Sequence, residues 1–419
     1  ENLPELKEWH SNEIMKKFNY INWKEAIKEL HKPENIGNYK KDYYKRLAFD
    51  EIFSTFLVNS EIRNNIKRIK KKNKIINRDK QNILIKKLNF DLTKDQLKAL
   101  SEINNDLSSS NKMFRLLQGD VGSGKTIISL LSAFNTINSG FQVAIMAPTE
   151  ILARQHFNLA KRIFPKNIKT ELISGKIEYK IKKNILQKLS SHQIDIIFGT
   201  HAIFQKNVAF KNLGLVIIDE QHKFGVNQRK KLSDKGGNNC DVLLMTATPI
   251  PRTLTMTLYG DMDLSVIREK PKNRKPIKTY SKLDSNIKNV VDFVKKEISR
   301  GNQIFWVCPL IEESKKLDHS SAIKKFEYLE KLFPNKLSLL HGKTDNVEKE
   351  KILNDFLNGK YKILVSTTII EVGIDFPNAN VIVIENANKF GLSQLHQLRG
   401  RVGRGDKDST CILMFKSNL

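Results

Sequence analysis

Hydrophobic and polar positions recur along this chain in two different periods. Residues 1 to 88 show helical spacing and no strand alternation, with Leu47, Ile52, Phe53, Phe56 and Leu57 assigned to one apolar helix face. That pattern predicts a helical segment. From Phe90 onward, short apolar runs alternate with helical stretches: FRLLQG (114–119), QVAIMAP (142–148), IDIIFGT (194–200), LGLVIID (213–219) and DVLLMTAT (241–248). Such alternation predicts a parallel sheet covered by helices on both faces. The polar stretch EKPKNRKPIK (269–278) holds two prolines and reads as a linker. Beyond it the alternation restarts with QIFWVCPL (303–310), LSLLHG (337–342), YKILVSTT (361–368), NVIVIENA (380–387) and STCILMF (409–415). The expected organisation is an α/β chain of three parts: a helical segment over 1–88, a first lobe over 89–268 and a second lobe over 269–419.

Composition adds a partner class. The 419 residues carry a formal net charge of +27, which favours a polyanion through counterion release and electrostatic steering. Nucleic acid leads that class. A lysine-rich, asparagine-rich composition bias would produce the same excess, so charge alone leaves the matter open. The basic stretch IKRIKKKNKIINRDK (66–80) likewise suits either phosphate contact or a solvated helix face, the second being the commoner use. Cys240, Cys308 and Cys411 lie far apart, without CxxC spacing or a neighbouring histidine cluster, which argues against a disulfide framework or a zinc site. No apolar run approaches the roughly 20 residues that span a bilayer. A reducing, cytoplasmic setting without membrane contact is the expectation. The chain starts at Glu1 and ends in a strand-like run, and so reads as a piece of a longer protein.

Candidate chemistry sits at two strand ends. GDVGSGKT (119–126) satisfies GxxxxGK[ST] between an apolar strand and the helical run IISLLSAFNTI. Gly119, Gly122 and Gly124 let backbone N–H groups turn toward phosphate oxygens, with Asp120 and Ser123 in the same cradle and the helix N-terminus adding favourable dipole charge. Lys125 is placed to reach the β and γ phosphates of ATP, and Thr126 to ligate Mg2+. Asp219 ends a buried strand where a carboxylate would hold that magnesium, and Glu220 is placed to polarise an attacking water. Upstream, FDLTKDQ (90–96) puts Phe90 and Gln96 where an adenine would stack and be read. Thr93 with Gln96 three residues on also makes a helix cap, and both uses are expected together.

The ordered series GDVGSGKT, APTEILARQH, GTHA, DEQH, TATPIPRT, VSTTIIEVGID and QLHQLRGRVGRG resembles the superfamily-2 helicases and translocases, whose motifs run in the same order. Within that superfamily DEQHKFGV, MTATPIPRTL and WVCPLIEES are similar to the bacterial fork-reversal and branch-migration helicases. Transcription-repair coupling translocases usually show DEEQ, and primosomal helicases show DEEH together with zinc cysteines. LPELKEW, AIKELHKP and KRLAFDE also look like the helical segment that follows a DNA-binding wedge in the fork-reversal branch, so the likeness covers almost the whole chain. It implies a wedge before Glu1 and a coupling hairpin after Leu419. Lys223 stands where that branch usually has arginine, and LISGK (172–176) replaces a stretch nearer LTGS, which bears on a phosphate contact at Lys176.

The resemblance implies two tandem RecA-like lobes with ATP between them. Arg401 and Arg404, three apart on an expected helix, would act as arginine fingers, with Gly373 and Asp375 contacting nucleotide and fingers from the same lobe. Gln221 and His222 would bond Thr246 and Thr248 and link nucleotide state to closure. DNA would cross the strand ends on Thr149, Arg154, Gly175, Thr200 and His201 of the first lobe and His341, Gly342, Thr367 and Thr368 of the second. Phosphate contacts carry no base information, so DNA structure rather than sequence would guide binding. The implied activity is ATP-driven movement of a monomer, tracking 3′ to 5′, on branched DNA such as stalled forks and four-way junctions, in repair and recombination. A transcription-repair type of motor, a P-loop small-molecule kinase and a DNA-binding scaffold with an inactive ATP site are the rivals. The intact Lys125, Asp219, Glu220, Arg401 and Arg404 weigh against the scaffold, and the second lobe weighs against the kinase.

Overall fold

A computed structural model describes residues 3–31, 42–173, 177–205, 207–220, 236–247, 262–269, 275–309, 315–342, 344–367, 376–403, 405 and 407–416. They group into two compact units, Glu1–Arg68 with Ile250–Asp263, and Ile69–Pro249 with Leu264–Leu419.

The first unit is helical: α1 (Asn12–Phe18), α2 (Trp23–His31) and α3 (Asp42–Arg68). Ser11 caps α1 by accepting from Ile14 N–H, and Asn19 ends it with φ 51°, the left-handed turn that asparagine tolerates. Its centre is a charge, not an apolar stripe. Arg46 is fully buried and donates to Glu8 Oε1 at 2.7 Å and Asp50 Oδ2 at 3.0 Å, while His10 and Trp9 converge on Asp50 Oδ1. The His10 ring packs edge-on against Phe49 and Phe53. The apolar face expected from spacing is therefore corrected. Ile52 and Leu57 are 48% and 55% exposed, because Ile52 lies about 100° around the helix from Phe53 and the ring contacts along α3 end at Phe53.

The second unit holds two sheets. The first lobe's strands are β1 (Phe114–Gly119), β2 (Gln142–Met146), β3 (Thr170–Ile173), β4 (Ile196–Gly199), β5 (Leu213–Ile218), β6 (Asp241–Thr246) and β7 (Asp263–Ile267), in the order β3-β4-β2-β5-β6-β1-β7. Strands β1 to β6 pair in parallel. Among the described residues the helices that belong with them are α4 (Arg78–Lys86), α5 (Lys94–Ser108), α6 (Lys125–Asn138), α7 (Glu150–Ile163) and α8 (Tyr179–Ser190). Alternate strand residues Val143, Ile145, Ile196, Phe198, Leu215 and Ile217 pack with Ile103 of α5 and Ile128 of α6 in one core. Each such side chain contributes roughly 1.5–3 kcal/mol on burial.

The second lobe runs β8 (Ile277–Leu283), α9 (Ile287–Ser299), β9 (Gln303–Val307), α10 (Lys315–Leu332), β10 (Leu337–Leu340), α11 (Asn346–Leu357), β11 (Ile363–Ser366), β12 (Ala379–Ile384), α12 (Leu392–Arg399) and β13 (Ser409–Phe415). Its strand order is β10-β11-β9-β12-β13-β8, with every neighbouring pair parallel. Strand alternation divides its core in two. Ile304 and Trp306 face α9 and α10, whereas Phe305 and Val307 face Phe356 of α11 and Leu398 of α12. The two RecA-like lobes expected from the sequence are present, with helices around both sheets.

The basic stretch 66–80 departs from a solvated helix face. Helix α3 stops at Arg68 and α4 starts at Arg78, and between them Lys71 and Lys74 turn inward onto the fully buried carboxylate of Asp241 at 2.7 and 2.6 Å. Asp241 also accepts from Met113 N–H, so one carboxylate at the start of β6 ties both this segment and the residue before β1.

Candidate nucleotide site at the strand ends

Strands β5, β6 and β1 are adjacent, with Ile218 beside Leu244 and Gln118 beside Thr246. Their C-terminal ends therefore bring the carboxylate pair, the TAT stretch and the phosphate loop together, where open α/β sheets bind ligands. Gly124 precedes α6 at φ +89°. A side chain there would be strained, and its Cβ would collide with Gln96 Nε2. Gln96, 1% exposed, donates from Nε2 to Ser123 O at 2.8 Å and accepts Thr93 N–H on Oε1 at 2.9 Å. The Thr93 capping box is thus formed, and the same glutamine braces the loop. Phe90, on the approach to it, is 44% exposed. Lys125 Nζ lies in the cradle, donating to Gly119 O at 2.7 Å and Asp120 O at 3.0 Å.

The two carboxylates have opposite electrostatics. Asp219 accepts from His156 Nε2 at 2.9 Å. Burial alone would raise its pKa, but the hydrogen bond and charge of His156, with the Lys125 ammonium, hold it below the ordinary carboxylate value. Glu220 is pushed up instead, by burial and by the Asp219 charge, against the pull of Lys125, the Ala247 N–H and Arg401. One carboxylate stays ionised while its neighbour holds a proton more readily, a division suited to cation binding and proton acceptance. Glu220 also has φ +49°, a left-handed conformation costly for a side-chain residue, and its Oε2 accepts from Ala247 N at 3.4 Å. Among the described residues no group of three or more His, Cys, Asp or Glu could hold a metal alone. The ionised Asp219 and the Thr126 hydroxyl are hard oxygen donors that fit magnesium, which takes one or two protein ligands beside phosphate oxygens.

The second lobe reaches the same place. A cavity of about 600 Å³ is lined by Gly122, Lys125, Asp219, Glu220, His156 and Arg401, among others. Arg401 is 4% exposed. It does not lie on a helix as its spacing suggested. Helix α12 ends at Arg399, Gly400 caps it, and Arg401 follows in the turn. His156, within APTEILARQH, was not assigned a role from sequence. Its partner Asp219 is 63 positions away, a separation no local pattern reveals.

The candidate DNA residues fall on neighbouring strand ends of each lobe. Thr149 follows β2 and caps α7 by accepting from Leu152 N–H, and Arg154 pairs with Glu150 one turn below. Thr200 and His201 follow β4, which pairs with β2. In the second lobe His341 and Gly342 follow β10, and Thr367 follows its neighbour β11. Thr367 is 2% exposed, and its hydroxyl has no hydrogen-bond partner among the described residues. Thr246 is buried at the end of β6. Gly175, Lys176, Gln221, His222, Lys223, Thr248, Thr368, Gly373, Asp375 and Arg404 lie outside the described residues.

A phosphate loop and a carboxylate pair on one RecA-like lobe, met by a buried arginine from a second, define the two-lobed helicases as a class. Residues 93–257 match the DEAD/DEAH box helicase family, and residues 285–406 match the helicase conserved C-terminal domain. Within that class, the chain is similar to the ATP-dependent DNA helicases RecG. It is 46% identical over 421 residues to the ATP-dependent DNA helicase RecG of Thermotoga maritima, covering 99% of this chain and 54% of that protein. The RecG of Streptococcus pneumoniae is 43% identical, with 99% and 61% covered. A solved structure of RecG bound to a three-way DNA junction superposes with a TM-score of 0.82 at 42% identity, over 99% of this chain and 55% of that one. The chain thus spans a little over half the length of the relatives it matches. No helix among the described residues is long and apolar enough to cross a membrane.

Proposed function

We propose that this chain is the motor portion of an ATP-dependent DNA helicase that moves on branched DNA, including stalled forks and four-way junctions, in repair and recombination. The observation that carries this reading is that the phosphate loop, the Asp219–Glu220 pair and Arg401 line one cavity drawn from both lobes. The branched substrate is argued from likeness to the relative solved on a three-way junction. In this reading residues 89–268 bind nucleotide, residues 269–419 close on it, and residues 1–88 are a helical appendage. The motor works as a monomer in the cytoplasm.

Lys125 and the loop N–H groups hold the β and γ phosphates, and Thr126 with Asp219 hold the magnesium. Bound magnesium neutralises phosphate charge. Glu220, with its raised proton affinity, orients the attacking water and accepts its proton. Arg401, with Arg404, meets the charge that develops on the transferred phosphoryl group. The Glu220–Ala247 contact already joins the hydrolytic carboxylate to the TAT strand end. Gln221, His222, Thr246 and Thr248 extend that link between nucleotide state and closure, and Gly373 and Asp375 complete the second lobe's share. Thr149, Arg154, Gly175, Thr200, His201, His341, Gly342, Thr367 and Thr368 hold the DNA backbone.

The test separates binding from turnover. Glu220→Gln keeps the shape of the site but cannot take the proton, so it should bind a fluorescent ATP analogue as the wild type does while magnesium-dependent hydrolysis falls at least about 100-fold. Equal hydrolysis by the two proteins would remove Glu220 from the mechanism.

A further inference from the structure

Helix α12 of the second lobe ends directly on the phosphate loop of the first. His396 Nε2 donates to Asp120 Oδ1 at 2.9 Å, and the other ring nitrogen, Nδ1, accepts from Arg399 Nη2 at 3.1 Å. The three side chains form a directed relay, guanidinium to imidazole to carboxylate, in which each ring nitrogen has one role. Four residues after His396 the backbone itself comes close to the loop. A Cβ on Gly400 would stand 2.8 Å from Val121 Cβ, the side chain next to Asp120, so only glycine lets the helix end seat there. Arg401 is the following residue and enters the cavity beside Glu220. Consecutive turns of one segment therefore touch the loop through a polar pair, touch it again through a bare backbone, and deliver the buried arginine.

We propose that His396 is a positioning residue for hydrolysis: by bonding Asp120 it docks α12 on the phosphate loop and sets Arg401 in the cavity. This rests on the ATPase reading above. The His396 and Asp120 side chains are 24% and 25% exposed, so solvent weakens the bond without removing it. An effect of about tenfold is expected, corresponding to about 1.4 kcal/mol. That effect falls on turnover rather than on nucleotide affinity. The loop itself is on the first lobe and stays formed without the latch, whereas Arg401 acts only once it is docked.

The experiment measures turnover, nucleotide affinity and lobe distance on the same variants of this chain. The three cysteines are buried, so Tyr179→Cys on the first lobe and Val347→Cys on the second, 81% and 64% exposed, accept a dye pair selectively. His396→Ala should lower kcat about tenfold at saturating ATP and DNA, change the affinity for a fluorescent ATP analogue less than about threefold, and lower transfer efficiency between the dyes. His396→Gln keeps an N–H donor at similar reach and should restore most of both signals, and Gly400→Ala should behave like His396→Ala. In a double-mutant cycle with Asp120→Ala, the two losses should overlap by about tenfold instead of multiplying. Unchanged dye distance and kcat in His396→Ala, or fully multiplicative losses, would overturn the latch. If the wild type hydrolysed no ATP but His396→Ala still opened the lobes, the ATPase reading would fall while docking by His396 stood.

Discussion

Glu220 shows how much of this site is decided by single residues. It sits in a left-handed conformation, next to an ionised Asp219, and bonds the backbone of Ala247. The first two features cost stability, and the third holds the carboxylate beside the TAT strand end and the phosphate loop. The loop and the DE pair were legible because their residues are contiguous and their strand ends are marked by apolar runs. The clamp of His156 on Asp219 and the seating of His396 on Asp120 were not, since 63 and 276 positions separate the partners. The motif marks Arg401, but the three-residue spacing does not show that Gly400 caps the helix and leaves Arg401 in the turn after it. Arg401→Ala should reduce kcat on the order of a thousandfold while nucleotide affinity changes little, since a finger acts on transition-state charge. Parallel kinetic and equilibrium-binding titrations check it. A matched loss of affinity would make Arg401 a ground-state ligand.

Among elements, the central strands and the apolar edge strand β10 were readable, and the other three edges were not. Fully buried strands such as β4 and β5 are continuous apolar runs, the signature of a parallel sheet covered on both sides. Edge strands β3, β7 and β8 carry mixed polarity. IKTYSKL is exposed along most of its length, and its first residues fall within the stretch read as a linker. The basic segment after α3 misled for another reason. Charge is normally solvated, yet Lys71 and Lys74 are fully buried on Asp241, 170 and 167 positions away. Removing that carboxylate strands two ammonium groups in the interior, so Asp241→Asn should destabilise the chain by roughly 3–5 kcal/mol. Urea unfolding would show it as a lower midpoint. An unshifted midpoint would mean that the lysines find other partners or leave for solvent.

For the molecule as a whole, two lobes of the same architecture divide the work: one carries the phosphate loop and both carboxylates, the other delivers an arginine. The chain's excess of 72 basic over 45 acidic residues and the candidate contacts on adjoining strand ends suit a polyanion held through its backbone. Hydrolysis and DNA binding should then depend on each other. The most direct measurement is the rate of magnesium-dependent ATP hydrolysis by this chain as branched DNA is titrated in, at low and at raised salt, with Glu220→Gln alongside. DNA should raise kcat about tenfold or more at low salt, raised salt should shift the half-saturating DNA concentration steeply upward, and Glu220→Gln should stay inactive throughout. Hydrolysis at the same rate with and without DNA would contradict it, because the two lobes would then form an ATPase that is not a DNA motor.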